Sequence, residues 1–100
     1  MAKPTHVADL FLREPRQWGL RGDPWLWRAM RDRLEDVPLP ADRNGLQRLL
    51  EDAFRQEVGQ DIATADDRVF IDRFAHGGMT SGTIDVTWWR TTGLPVLLNR

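Results

Sequence analysis

The spacing of apolar residues changes once along this chain, at Gly59, and that change restricts the fold class more than any other feature. Before it, Leu26, Ala29, Met30, Leu34 and Val37 fall in one arc when plotted at about 100° per residue, and Leu46, Leu49, Leu50, Ala53, Phe54 and Val58 form a second stripe. After it, Val69, Phe70 and Ile71 run together, and Ile84, Val86 and Trp88 alternate with Thr83, Asp85 and Thr87, as strand residues do. Helical stripes followed by strand alternation predict an α+β fold, with helices packed on a C-terminal β-hairpin. The expected helices cover about 5–13, 24–36 and 44–58, and the expected strands about 68–75 and 83–87. A short apolar turn or helix, Val96 to Leu98, follows Leu94-Pro95 and docks on the core.

Local signals set these boundaries. Thr5 is placed to cap the first helix and Pro15 to end it. Asp23 before Pro24 pairs a good N-cap with a residue whose fixed φ suits the first helical turn. The prolines of VPLPA disfavour helical geometry at the residues before them. Asn44 with Gln47 has the spacing of a capping box, and Gly59 suits the left-handed position past a helix end. Arg48 with Asp52 and Glu51 with Arg55 are spaced for ion pairs on the wet face. Glu57 falls in the apolar stripe and is expected to reach water through a frayed last turn. The run Val69 to Ile71 suits a strand with both faces partly covered. Asp85 offers a competing pattern, a cap for a helix from Val86 to Thr92 with Gly93 as its stop. A strand to about Val86 is preferred, and the placement of Trp88 and Trp89 stays open between the two.

Length and composition narrow the classes. One hundred residues suit one domain, 1–100, with a single core, and the 41% hydrophobic and 29% charged fractions are those of a globular chain. The absence of cysteine excludes disulfides, thiolate metal sites and cysteine nucleophiles. The apolar stretch near the N-terminus is broken by Asp9 and is too short for a signal peptide, and no segment has the apolar length of a membrane span. A cytoplasmic protein without membrane contact is expected. Thirteen arginines stand against one lysine, a skew that the codon usage of a GC-rich bacterial genome explains. A net charge of −1 provides no overall field to gather nucleic acid.

Three constellations are candidates for function. The stretch from His76 to Gly82 is expected as a Gly-rich loop, in which Gly77, Gly78 and Gly82 permit close backbone approach and Thr80 and Ser81 add hydroxyls, the makings of an anion-binding nest. It lacks the Gly-Lys-Ser/Thr ending of a nucleotide loop, and a plain strand connection is the simpler account. Within it, His76 and Ser81 with Asp72 or Asp85 contain the residue types of a nucleophile, base and orienting acid, but their spacing does not place them together. The third constellation interleaves Trp18, Trp25 and Trp27 with Arg28, Arg31 and other arginines, and adds Trp88 and Trp89. Five indoles of about 200 Å² each are hard to bury in one small core, so an exposed aromatic patch with an arginine rim is expected. His6 and His76 are too far apart to suggest a metal, and no cofactor is implied. The favoured expectation is a non-enzymatic interaction module that binds another protein or itself. A small anion-binding or hydrolytic domain using the loop ranks second, and single-stranded nucleic-acid binding by the Arg/Trp cluster third.

Overall fold

The computed structural model describes residues 4–11, 23–75 and 78–99, with the backbone alone at 23, 71–75 and 78–81. It is a small α+β fold in which helices pack with a two-stranded antiparallel sheet.

The N-terminal segment is held by the proline-rich connection. Val7 donates its N–H to the Val37 carbonyl (2.9 Å) and Leu39 donates to that of Thr5 (3.0 Å), around a bridge between His6 and Pro38. A 3₁₀ helix, Val7–Phe11, follows and buries Val7, Ala8, Leu10 and Phe11. Asp9 lies in its first turn and bonds back to the residues before it. The Asp9 carboxylate reaches back to accept the N–H groups of Thr5 (2.9 Å) and His6 (3.0 Å).

Helix α1, Asp23–Arg33, stops three residues before the expected end. Leu34 shares its N–H between the carbonyls of Met30 and Arg31, and the chain turns so that Val37 enters the extended geometry that Pro38 imposes. Leu26, Ala29, Met30 and Leu34 are buried, as the stripe predicts; Trp27 beside them is buried too, and its Nε1–H donates to the Phe11 carbonyl at 3.0 Å. The rings of Phe11 and Trp27 meet in a tilted pair, centroids 4.9 Å apart.

Helix α2, Arg43–Val58, begins one residue earlier than expected because Asp42 is its cap. Asp42 is extended, and its Oδ1 accepts the Gly45 N–H at 3.3 Å. Gln47 is therefore not the partner of a capping box; it donates to Glu51 at 2.9 Å. Arg55 pairs with Asp52 (3.1 Å) and reaches Asp61 (3.7 Å) in place of the expected Glu51 partner. Gly59, with φ of +85°, ends the helix and donates to the Arg55 carbonyl, the left-handed C-cap expected of it. Glu57 corrects the expectation of a frayed turn: it is fully buried, and its Oε1 accepts from Arg33 Nε (2.8 Å) and Nη2 (2.7 Å). The partner lay at the end of α1, beyond the view of any single helical wheel.

Strands β1, Arg68–Ala75, and β2, Gly78–Asp85, pair antiparallel in a register that runs from Arg68 opposite Asp85 to Ala75 opposite Gly78. The second strand thus begins at Gly78, five residues ahead of the expected start. At the end of the hairpin whose side chains are described, one face is covered. Val69 and Ile84 are buried, whereas Phe70, opposite Thr83, is 66% exposed.

The strand ends where Asp85 caps a helix, its Oδ1 accepting the Trp88 N–H at 3.0 Å. The competing capping pattern is the one the chain follows, and it continues past Gly93. Helix α3, Val86–Trp88, leads into a π-helical turn, Trp89–Gly93, and then helix α4, Leu94–Leu98. Pro95 accounts for the wide turn: it has no N–H to give the carbonyl four residues back, and its ring would crowd that carbonyl in regular α geometry. Leu94 closes the turn by donating to Trp89, five residues back. Gly93 is a packing residue here. A Cβ on it would stand 2.7 Å from the ring of Trp89 and 2.9 Å from that of Trp88. Phe54 and Trp89 stack at 5.7 Å, and one apolar cluster unites residues from every element from the 3₁₀ helix to α4.

Candidate functional site

From Gly78 onward the glycine-rich stretch is a strand, and that changes what its backbone can do. In an antiparallel pair, residues whose N–H and C=O face the partner alternate with residues whose groups face away. The bond from the Val86 N–H to the Asp67 carbonyl (2.9 Å) puts that pair in the facing set, so the register places Gly78, Thr80 and Gly82 there too. Their amides belong to the ladder. An anion nest needs successive N–H groups converging on one side, which a strand does not provide. His76 and Gly77 lie outside the described residues, as does Trp18.

The catalytic grouping fares no better. Ser81 stands opposite Asp72 in the register, while Asp85 is four residues further along β2, about 13 Å at strand rise. Asp85 already has a structural task as the helix cap. Among the described residues, no three His, Cys, Asp or Glu side chains gather to hold a metal ion, and no helix is long and apolar enough to cross a membrane.

Three indoles of the expected Trp/Arg surface are interior. Trp27 and Trp89 are fully buried and Trp88 nearly so, which corrects their assignment to an exposed contact patch. The small core holds them because Gly93 lets two of the rings close on the backbone and Phe54 stacks on one of them. Trp25 is half-buried and packs against the core. Arg28 is exposed; Arg31 is half-buried, with Nε 3.6 Å from Asp32. Arginines remain at the surface there, while three indoles of the expected patch, Trp27, Trp88 and Trp89, do not accompany them.

Two shallow grooves flank Arg43 and Leu98. One, of about 400 Å³, includes Glu51, Ile62, Arg90 and Leu94; the other, of about 410 Å³, includes Leu10, Leu39 and Leu46. The cations of the first serve the fold. Arg90 donates to the Ile62 carbonyl at 2.7 Å, and Arg43 donates to Asn99 at 3.0 Å. The Asp9 carboxyl is held below the ordinary carboxylate value, chiefly by the backbone N–H of Thr5 and then by that of His6.

The feature that sequence reasoning missed is the outer edge of β1. By the alternation above, Arg68, Phe70, Asp72 and Phe74 turn their N–H and C=O groups away from β2. The sheet has two strands, and among the described residues these outward groups have no backbone partner. Phe70 is also the exposed large hydrophobic residue of the described chain. A signal for this was present: Arg68 and Asp72 share the parity of Phe70, and charges at those positions mark a wet face. No family model, curated protein or solved structure matches this chain.

Proposed function

We propose that this chain is a non-enzymatic protein-interaction module that binds by strand addition to the outer edge of β1. The observation that carries the proposal is Phe70, a large apolar side chain 66% exposed on a strand whose outward amides lack a backbone partner among the described residues. An open edge supplies main-chain hydrogen bonds to an incoming strand, and an aromatic side chain on it supplies apolar area. The Arg/Trp route to single-stranded nucleic acid is less well supported, since stacking needs exposed indoles and three of the five are enclosed.

The test compares the purified chain with its Phe70→Lys variant, which places a charge on the edge without touching the core. Each is immobilised and exposed to lysate, and each is sedimented alone. Association of either kind, with itself or with another protein, is expected for the parent chain and lost in a variant with unchanged circular dichroism and melting. Identical retained proteins and identical sedimentation for the two chains overturn the proposal.

A further inference from the structure

Resting on that reading of the β1 edge, we infer that its partner is a second copy of this chain, joined antiparallel, β1 to β1, about a two-fold axis through Phe70. The outward-facing residues of β1 are 68, 70, 72 and 74, and two such edges bond when outward residues stand opposite one another. With the axis at Phe70, residue 70 faces its own copy and residue 68 faces residue 72 of the other chain, on both sides of the axis. Residue 68 is arginine and residue 72 aspartate, so this register sets two opposite-charge pairs around an aromatic pair.

Other registers that keep the outward groups opposed are poorer. An axis at residue 68 puts Arg68 against Arg68, and one at residue 72 puts Asp72 against Asp72. An axis at residue 71 puts Phe70 against Asp72 and leaves Arg68 without an acidic neighbour. Of these four registers, the one centred on Phe70 is the self-complementary one. The product is a four-stranded antiparallel sheet, β2–β1–β1–β2, with an isologous interface of the kind two-fold dimers use. A junction of this length buries less than the roughly 1,200–2,000 Å² of a standard interface, so the dimer forms reversibly and in the micromolar range or weaker.

Sedimentation velocity across rising concentration, with charge-reversed chains, tests this. The parent chain should shift from monomer to dimer. Arg68→Asp and Asp72→Arg, each of which sets like charges opposite twice, should weaken self-association at least tenfold. The double variant Arg68→Asp/Asp72→Arg restores opposite charges and should recover the parent affinity. Mixing the two single variants should give a heterodimer, because each supplies what the other lacks. Circular dichroism confirms that every chain is folded. A parent chain that stays monomeric at millimolar concentration, or single variants that dimerise as well as the parent, overturns the inference. If the monomeric parent still retains another protein through Phe70, the interaction module stands and only the identity of its partner falls.

Discussion

Replacing Arg33 with methionine should destabilise the fold by about 3 kcal/mol, a large effect for a residue at the end of a helix and one-third exposed. The magnitude follows from what the change leaves behind. Glu57 has no solvent exposure, and Arg33 gives its Oε1 two charged donors at 2.7 and 2.8 Å. Breaking a buried pair by removing one partner costs about 3–5 kcal/mol, because the remaining buried charge loses that counterion. The low end applies because the 36% exposure of Arg33 means that its removal opens a path for water. At this chain length 1 kcal/mol moves Tm by about 4–5 °C, so the midpoint should fall by about 12–15 °C. Urea unfolding followed by tryptophan fluorescence gives the free energy, and a thermal melt gives the midpoint. Arg33 also donates to Gln56 at 2.7 Å, so Gln56→Ala is the control for that exposed bond and should cost under about 0.5 kcal/mol. The double variant Arg33→Met/Glu57→Leu should recover most of the loss, since an apolar replacement of a buried pair is often neutral or better. A loss below about 1 kcal/mol for Arg33→Met would refute the reasoning, for that is the value of an ordinary surface ion pair.

Three further outcomes are expected. Asp85→Ala should lower stability by about 1 kcal/mol through loss of the cap on the C-terminal helix, while Asp85→Asn, which keeps an acceptor, should cost less; chemical denaturation measures both. Gly93→Ala should destabilise by about 1–3 kcal/mol and alter the near-ultraviolet circular dichroism of the tryptophans, because the new methyl group meets two buried rings and not open space. The Asp9 carboxyl titrates below its unfolded value, so its contribution is present above that unfolded value and disappears as pH falls through the lower folded one. NMR should show the amide signals of Thr5 and His6 moving together with that acidic midpoint, and the movement should be absent in Asp9→Ala.

The helices and the hairpin were legible because both are recorded as periodicity. Leu26, Met30, Leu50 and Phe54 are buried where their stripes put them, and Gly59 turns left-handed where its position demanded it. What escaped was set by distant partners. Glu57 violates its own stripe, and a partner of its buried charge, Arg33, arrives from another helix. Local capping chemistry was ambiguous in the same sense: Asp42 displaced Asn44, and nothing in a short window ranks two acceptors a few residues apart. At the candidate site the misjudgement concerned glycine. Gly78 and Gly82 suggested a loop by composition, yet the ladder absorbed both, and the exposed aromatic lay across the hairpin on β1. The tryptophans misled through sheer area, since the close approach permitted at Gly93 is a property of three-dimensional packing.

The wide turn before Pro95 also acts as a phase corrector. Trp88 and Leu97 are nine positions apart, and in an unbroken α-helix at about 100° per residue they would project to opposite sides, about 180° from each other. Both are buried. The one extra residue held in the turn from Trp89 to Gly93 reduces the offset to about 80°, which brings the indole and the leucine onto the same side of the helix. Chain length in this turn is therefore a rotational setting. Removing Thr92 alone would leave the two side chains eight positions apart in a regular helix, again about 80° from each other, so Leu97 would keep its side and the cost would fall on Pro95, whose ring would then crowd the carbonyl four residues back.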